Sequence, residues 1–445
     1  MTRESKATLE KITALCKHRG FIYPSCDIYG GINGIYDTGP LGLMLKNNLK
    51  RAWKKFNNAQ VDTILYMDGA LIGSQALWEA SGHISNFNDP MVDCLNCKHR
   101  YRTDEITLDG PCPHCGQTKW TEVRQFNMMF ATNLGASSDQ SSVAYLRPET
   151  AQTIFSQFKN IASSYRAKLP FGIAQIGKSF RNEITPKQFL FRLREFEQME
   201  LEWFCAPEEA HKFFELWRHA RYNFYKTIGI NPEHVRVRNH DKEELSHYSS
   251  ATSDVEYLFP FGWKELEGIA YRGDFDLTQH STFSKKDLSY FDEAAKRSYM
   301  PHVVESSVGV DRLFLVTMFE AYDEETIQDG DKEDTRVVLR FHPTIAPIKC
   351  AVLSLTKKQS DQARVLFTEL KKAGIDTVFD EAGSIGKRYR RYDEIGVPYC
   401  ITFDFDTEKD ASVTIRERDS MKQERIAIAD VQKYIHQKTT YKPEF

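Results

Sequence analysis

The spacing of hydrophobic positions changes about three quarters of the way along the chain. Beyond residue 340, short apolar runs alternate with amphipathic stretches, and a glycine ends the first of these stretches. Such alternation predicts strands and helices in turn, packed as an α/β domain over a largely parallel sheet. The predicted order is strand "IKCAVLSL" (348–355), helix "KQSDQARVLFTELKKAG", strand "IDTVFD", helix "SIGKRYRRYDEIG" and strand "PYCITF". We assign residues 340–445 to this domain.

The N-terminal part, residues 1–335, follows a different pattern. A helix over 39–57 leads into the strand "VDTILYM", and two long strand-like runs, 171–183 and 189–204, are separated by "ITPKQ". Long strands joined by hairpins, with separate helices, predict an α+β fold built on an antiparallel sheet. The acidic stretch "YDEETIQDGDKEDTR" (322–336) predicts a linker or an exposed loop.

The hairpin over 180–204 carries charges of both signs on one predicted face. Strand alternation places Arg192, Arg194, Phe196, Gln198 and Glu200 together, and it groups Arg181 with Glu183. The opposite face holds Leu193, Met199, Leu201 and Trp203, with Glu195 and Glu197 among them, for which we expect buried salt bridges. A solvated face is the alternative. An aromatic ring between arginines and carboxylates favours a site for phosphate, base and amine in that order.

Four of the nine cysteines lie in one 22-residue window. Cys94-x2-Cys97 and Cys112-x2-Cys115 are fourteen residues apart, a spacing typical of a structural Zn²⁺ ribbon. We therefore predict a zinc-ribbon insertion over 93–120, with His99 and His114 as neighbours of the metal. A redox Cys-x-x-Cys pair and a ribbon without metal are the alternatives.

Composition sets limits on the remaining function classes. Of the 445 residues, 41% are hydrophobic and 27% are charged. The formal net charge of −3 provides no electrostatic argument for nucleic-acid binding by the protein as a whole. No long apolar run occurs and the N-terminus is polar, so we expect no membrane span, no secretory signal and a cytoplasmic location.

Several longer segments resemble one known family. "FRNEITP…FRLREFEQMEL" and "PHVVESSVGVDRLFLVTM" resemble motifs 2 and 3 of the class II aminoacyl-tRNA synthetases. "YGGINGIYDTGPLGLMLKNNLKRAW", "LWEASGH", "YLRPETAQ", "ELEGIAYRGDFDL" and "GSIGKRYRRYDEIGVP" are similar to the homodimeric glycyl-tRNA synthetases. The motif 1 region departs from the class pattern, because the strand after its helix has no proline.

This resemblance implies a catalytic domain with an antiparallel sheet of six to seven strands and flanking helices, followed by an anticodon-binding domain. It implies the activation of glycine with ATP and Mg²⁺ and its transfer to tRNA(Gly) by a homodimer. Arg181 and Arg312 take the catalytic roles. The implied ATP-binding residues are Arg181, Asn182, Glu183, Phe191, Arg192, Leu193, Arg194, Glu195, Phe196, Glu265, Leu266, Gly309, Val310, Asp311 and Arg312.

Glycine offers an ammonium and a carboxylate but no side chain, so its site must use charge and exclusion. The residues that the resemblance places around glycine are Arg102, Glu149, Phe196, Glu197, Gln198, Met199, Glu200, Glu305, Ser306, Ser307, Val308 and Gly309. In the C-terminal domain, Lys387, Arg388, Arg390 and Arg391 with Tyr389 and Tyr392 suit contacts to an unpaired RNA loop, against the alternative of a solvated amphipathic helix.

Two other functions compete with this one. A catalytically inactive synthetase-like binding protein is disfavoured because Arg181, Arg312 and the glutamates are all present. A relative that charges threonine, proline, histidine or serine is disfavoured by the acid-rich substrate motifs.

Overall fold

The computed structural model describes residues 6–103, 105–135, 142–244, 249–329 and 332–443. In chain order the α-helices of this part are α1 (Leu9–His18), α2 (Pro40–Gln60), α3 (Gln75–Ala80), α4 (His83–Asn86), α5 (Ala151–Tyr165), α6 (Ala210–Thr227), α7 (Phe275–Ser284), α8 (Val310–Ala321), α9 (Ser360–Lys372), α10 (Ile385–Glu394), α11 (Thr407–Asp410) and α12 (Ile428–Thr439).

The β-strands are β1 (Ile22–Pro24), β2 (Tyr36–Thr38), β3 (Ile64–Met67), β4 (Ile72–Ser74), β5 (Asn88–Asp93), β6 (Arg100–Arg102), β7 (Arg124–Asn127), β8 (Ala131–Asn133), β9 (Val143–Leu146), β10 (Phe171–Phe180), β11 (Glu195–Cys205), β12 (Val235–Asn239), β13 (Ala251–Phe259), β14 (Gly262–Gly273), β15 (Tyr290–Asp292), β16 (Arg297–Tyr299), β17 (His302–Gly309), β18 (Tyr322–Asp329), β19 (Lys332–Leu339), β20 (Cys350–Ser354), β21 (Thr377–Asp380), β22 (Tyr399–Phe403), β23 (Ser412–Glu417) and β24 (Gln423–Ala427).

A seven-stranded sheet forms the centre of the N-terminal part, in the order β12-β13-β14-β17-β11-β10-β3. All neighbouring strands are antiparallel except β3 and β10 at one edge, which are parallel. The predicted α+β class and the large antiparallel sheet are therefore confirmed. The register aligns Glu200 of β11 with Ser307 of β17 and aligns Glu202 with Glu305.

One face of this sheet is covered by helices α2, α6 and α8. Apolar residues of α2 recur every three or four positions, so one stripe of the helix is buried. Trp53 of α2, Trp203 of β11 and Trp217 of α6 belong to the same core. On the other face, a second core with Phe155 and Phe158 of α5 covers one end of the sheet. The open remainder of that face is where the candidate site lies.

The C-terminal sheet has the order β21-β20-β22-β23-β24. Strands β20, β21 and β22 are parallel, as the alternating pattern predicted. Strands β23 and β24 pair antiparallel and were not predicted, so the sheet is mixed and the expectation of a largely parallel sheet was wrong for this half. The domain limits at 335 and 340 stay predictions.

The acidic stretch 322–336 was predicted as a linker or loop, and this prediction was wrong. It contributes β18 and part of β19, which pair as a hairpin. Two of its carboxylates pair with arginines: Glu325 contacts Arg336, and Asp323 contacts Arg340. Arg336 also contacts the buried Asp393 of α10. Composition alone indicated a solvated segment because these ion-pair partners lie outside it or at its end.

Strand β11 begins at Glu195, later than the sequence predicted. Gln188 and Phe189 adopt left-handed backbone conformations, with φ of 62° and 56°, and they turn the chain before the strand begins. Arg192 and Arg194 therefore precede the strand and do not share its face, which corrects the predicted grouping. The alternation holds from Phe196 onward.

Candidate active site

A cavity of about 510 Å³ lies on the open face of the central sheet. Strands β11, β13, β14 and β17 form its floor, so side chains at alternate positions of each strand project into it. Seventeen of the predicted site residues line it: Arg102, Glu149, Arg181, Glu183, Phe191, Arg192, Leu193, Phe196, Gln198, Glu200, Glu265, Leu266, Glu305, Ser307, Gly309, Asp311 and Arg312.

Other predicted residues do not line this cavity, and strand alternation explains most of them. The face of β11 opposite the cavity carries Glu195, Glu197 and Met199. The corresponding face of β17 carries Ser306 and Val308. Val310 lies in the first turn of α8 and is fully buried. Met199 and Val308 are buried in the apolar core, so a side-chain contact with glycine is ruled out for them.

Glu195 and Glu197, for which the sequence predicted buried salt bridges, have ion-pair partners on the face of β11 opposite the cavity. Glu197 pairs with Lys50 of α2 at 2.9 Å in a partly buried contact, and Glu195 pairs with Lys178 at 2.9 Å in a more exposed one. The expected salt bridges are therefore present, although that of Glu195 is not buried. Ser306 donates to the buried Glu267 at 2.7 Å.

Asn182 and Arg194 both donate hydrogen bonds to backbone carbonyl groups. The Asn182 N–H donates to the Met128 carbonyl at 2.7 Å. Arg194 donates to the carbonyls of Glu183 and Asn33, both at 2.9 Å. These contacts hold the loop between β10 and β11 in place, and neither residue is among those that line the cavity.

The guanidinium of Arg181 is fixed at one side of the cavity. Its Nε donates to the Pro148 carbonyl at 3.1 Å. Its central carbon lies 5.3 Å from the ring centre of Phe87 and 5.4 Å from that of Phe196. A cation held between two rings and a carbonyl is oriented before any ligand arrives.

Arg312, in the first turn of α8, forms a second cationic position. Its Nη1 donates to the Glu265 carbonyl at 2.7 Å and lies 3.6 Å from the Glu265 carboxylate, while its guanidinium lies 4.5 Å from the centre of the Phe191 ring. The neighbouring Asp311 forms a buried ion pair with Lys46 of α2 and accepts the Glu197 N–H at 2.8 Å. Helix α2 thereby supports the turn that carries Arg312.

Carboxylates cluster at the other end of the cavity. Glu305 pairs with Arg272 at 2.7 Å, and Glu149 lies 3.3 Å from His83. Glu200 accepts a hydrogen bond from the Thr150 hydroxyl. This end of the cavity therefore has more carboxyl groups than basic side chains.

The pKa values of these three glutamates are shifted in different directions by their surroundings. Burial and the charges of Glu305 and Glu149 raise the pKa of Glu200 to about 8. Burial also raises the pKa of Glu305, against the effect of Arg272. For Glu149, burial acts in the same direction, but the charge and hydrogen bond of His83 outweigh it and lower the pKa overall.

Sequence reasoning missed several residues that line the cavity or contact its acidic end. Arg272 stands in the quoted "ELEGIAYRGDFDL" but received no role, although it contacts Glu305 and Asp276. His240 and Asp254 form a 2.7 Å contact at the far edge. They meet only through the pairing of β12 with β13, so no local spacing signals them. The missed lining residues are Met128, Leu190, His240, Thr252, Asp254, Gly268, Ile269 and Ala270.

The four cysteines of the predicted ribbon converge. Their sulfur atoms all lie within 4.8 Å of one another, with 3.6 Å between Cys94 and Cys115 and 3.7 Å between Cys97 and Cys112. A tetrahedral site with Zn–S bonds of about 2.3 Å requires sulfur separations of about 3.8 Å, so this donor set fits Zn²⁺. His99 and His114 stack on each other at 3.7 Å beside it.

The ribbon is connected to the cavity. Arg102 of β6 lines the cavity and pairs with Asp89 of β5 at 3.1 Å. Glu105, three residues later, contacts Lys187 at 2.7 Å and Arg192 at 3.7 Å in the loop before β11. The insertion therefore supports one wall of the cavity.

Basic residues of α10 are largely engaged within the protein. Arg388 is 2% exposed and donates to the carbonyls of Ser354 and Asp380, and Arg391 pairs with Asp380. Arg390 pairs with Asp334, and Tyr392 is buried. The expectation that Arg388 and Tyr392 contact an RNA loop is wrong, because their side chains lie inside the domain.

Two family models match separate parts of the chain. Residues 133–322 match the family "tRNA synthetase class II core domain (G, H, P, S and T)", and residues 349–438 match "Anticodon binding domain". Within the described residues, no helix is both long enough and apolar enough to cross a membrane.

Curated relatives named glycine–tRNA ligase are similar over their full length. That of Acetivibrio thermocellus is 51% identical, covering 98% of this chain and 99% of its own. That of Geobacillus thermodenitrificans is 50% identical, covering 98% of both chains. A solved prolyl-tRNA synthetase from Cryptosporidium parvum has a TM-score of 0.66 at 15% identity, covering 98% of this chain and 76% of its own, which shows the shared fold.

Proposed function

Because the chain belongs to the glycine–tRNA ligases, a family of class II aminoacyl-tRNA synthetases, we propose that its central-sheet cavity makes glycyl-adenylate and charges tRNA(Gly). One observation carries the assignment to this cavity. Fixed arginines and an aromatic ring line one end, while Glu200, Glu305 and Ser307 line the other on adjacent strands.

The reaction has two steps. The glycine carboxylate attacks the α-phosphorus of ATP, and pyrophosphate leaves. A terminal ribose hydroxyl of the tRNA then attacks the glycyl carbonyl, and AMP leaves. Negative charge develops on phosphate and carbonyl oxygens in both steps, so fixed cations and orientation supply the catalysis.

Arg181 is proposed to contact the α-phosphate in the first step. Its hydrogen bond to Pro148 and its position between Phe87 and Phe196 support this role, because a cation already in place needs no reorganisation when charge develops. Phe196 is proposed to stack on adenine, with Glu183 near the adenine amine.

Arg312 is proposed to hold the γ-phosphate. The support is its position on the cavity wall and its anchoring to Glu265 and Phe191. Arg192 also lines the cavity and is proposed to reach the terminal phosphates or the tRNA end.

Glycine is proposed to bind among the acids. Glu149, Glu200 and Glu305 surround the ammonium, Ser307 lies beside them, and Arg102 reaches the carboxylate. Several carboxylates near one another repel when the site is empty, which favours a cationic ligand. Discrimination against alanine then rests on steric exclusion, because a missing methyl is worth only about 1–3 kcal/mol.

Two metals accompany this proposal. Mg²⁺ neutralises phosphate charge when bound, and the half-exposed Glu265 carboxylate at the cavity edge is the side chain proposed to hold it. Zn²⁺ is proposed to be held by Cys94, Cys97, Cys112 and Cys115. With four thiolates the site has no open position, so its role is structural.

The division of the chain and its partners are proposals as well. Residues 1–335 form the catalytic domain, with 93–120 as the ribbon insertion, and residues 340–445 bind the anticodon of tRNA(Gly). The functional unit is a homodimer. The match of residues 349–438 to the anticodon-binding family supports the second assignment.

ATP–pyrophosphate exchange with each of the twenty amino acids tests the specificity of the first step. We expect exchange with glycine alone. Absence of exchange with every amino acid would remove the activity, and faster exchange with alanine or threonine would remove the specificity.

A further inference from the structure

Glu202 is a buried carboxyl with no assigned role. It lies on the same face of β11 as Glu200, and its side chain is 0% exposed. Neither of its carboxylate oxygens has a hydrogen-bond partner among the described residues. Its carboxyl group nevertheless lies close to those of Glu200 and Glu305, since one oxygen from each of the three lies within 4.8 Å of the other two.

An isolated carboxylate in such a place is strongly disfavoured, because burial removes its hydration and no donor replaces it. Burial, followed by the charge of Glu305, raises the pKa of Glu202 well above its ordinary value. Arg272 opposes this effect, but it already contacts Glu305 and Asp276. The lack of a donor and the two neighbouring carboxyl groups therefore favour the protonated form of Glu202.

The surroundings of Glu202 are acidic on several elements. The charged and titratable groups of this region are Glu200 of β11, Glu305 of β17, Arg272 of β14, Asp276 and His280 of α7, Glu149 before α5 and His83 of α4. Carboxyl groups outnumber the arginine and the two histidines. An added cation between Glu200 and Glu305 would therefore favour loss of a proton from the cluster.

We propose that Glu202 is a positioning residue that gives up its proton when an ammonium group binds between Glu200 and Glu305, and so supplies a further counter-charge beneath it. This inference rests on the proposed binding of glycine at that place. The proton passes to solvent, so ammonium binding and proton release are coupled. A cationic amine gains from this coupling, while a neutral group of the same size does not.

The coupling has a defined sign. Protons compete with glycine for the cluster, so the apparent KM for glycine falls as pH rises, by at most about tenfold per pH unit for one proton. The effect holds below the pH at which the glycine amine itself deprotonates.

Glu202→Gln mimics the neutral acid and cannot ionise. At about pH 6 the KM for glycine of E202Q should match that of the unmodified protein, and at about pH 8 it should be about tenfold higher. A residue that only fills space would shift KM by one factor at every pH. The exposed Glu215→Gln on α6 is the matched control and should follow the unmodified profile.

Calorimetry gives a second test, in which the unmodified protein and E202Q are compared. The full-length protein is titrated with a glycyl-sulfamoyl adenosine and with its acetyl counterpart, which lacks the amine, in buffers of different ionisation enthalpy. Glu200, with a pKa raised to about 8, can also lose a proton when the amine binds. The inference is therefore supported by proton release that occurs with the glycyl compound only and that is smaller in E202Q than in the unmodified protein. Equal release with both compounds, equal release by E202Q and the unmodified protein, or parallel pH profiles for the two proteins overturns it.

These outcomes are separate from those of the proposed function. If the protein shows no glycine-dependent pyrophosphate exchange, the function itself fails. If exchange is present but the two adenosine compounds release equal numbers of protons, only the role of Glu202 fails.

Discussion

Lys46 of α2 and Asp311 of α8 form a buried ion pair next to Arg312. The same Asp311 accepts the backbone N–H of Glu197 in β11, so one carboxylate joins a helix, a strand and the turn that carries Arg312. The ion pair thereby fixes the position of Arg312, which is proposed to contact the γ-phosphate.

Lys46→Met should lower both stability and activity. Removing one partner of a buried pair leaves the other charge uncompensated, which costs about 3–5 kcal/mol in the free energy of unfolding. Denaturant unfolding measures the loss, and pyrophosphate exchange should show a reduced kcat. Lys55→Met, at an exposed position of the same helix, is the control. Equal stability of the two variants would contradict a structural role for the ion pair.

Arg181→Lys should lower kcat for glycine-dependent exchange by about 10²–10³. Lysine keeps the charge but loses the planar, stacked geometry between Phe87 and Phe196. Arg218→Lys on the surface of α6 serves as the control. If both variants retain full exchange rates, Arg181 does not stabilise the transition state.

The double substitution Cys94→Ser and Cys112→Ser should remove bound zinc, as measured by metal analysis of the purified protein. We expect KM for the substrates to rise, because the ribbon carries Arg102 and its neighbour Glu105 contacts Arg192. Cys26→Ser, an exposed thiol outside the ribbon, should change neither quantity. The proposed support of the cavity by the ribbon is wrong if the double variant loses zinc while adenylate formation and aminoacylation both stay intact.

Glu200→Gln should abolish glycine activation yet stabilise the empty protein. The folded pKa of Glu200 is raised from 4.5 to about 8, so the native state binds a proton that the unfolded state has lost between these values. Its contribution to stability therefore decreases as pH rises from about 4.5 to 8. Glutamine removes this penalty, and we expect a gain on the order of 4 kcal/mol at about pH 8 and little below about pH 4. A loss of stability at the higher pH would contradict this account.

The sequence predicted the central hairpin and its chemistry because strand alternation is local. Phe196, Gln198 and Glu200 share a face for the same reason that Glu197 and Met199 do not. The start of β11 was misplaced because it depends on the left-handed backbone at Gln188 and Phe189, which no residue type in that segment signals.

Long-range pairing explains what the sequence did not reveal. Arg272 and His83 receive their roles only when β14 and α4 approach Glu305 and Glu149. The composition around Glu325 predicted a solvated stretch, whereas in the folded chain Arg336 pairs with this carboxylate. Residue types along the chain predicted an arginine- and glutamate-rich site, but tertiary contacts determine which of these side chains lie in it.

Transfer of labelled glycine to tRNA(Gly) tests the central claim most directly. The full-length protein is incubated with ATP, Mg²⁺ and tRNA(Gly), and acid-insoluble label is counted against reactions that lack ATP or contain labelled alanine. The account predicts ATP-dependent label with glycine only, and its loss in Arg181→Lys. No label with glycine, or equal label with alanine, would contradict it.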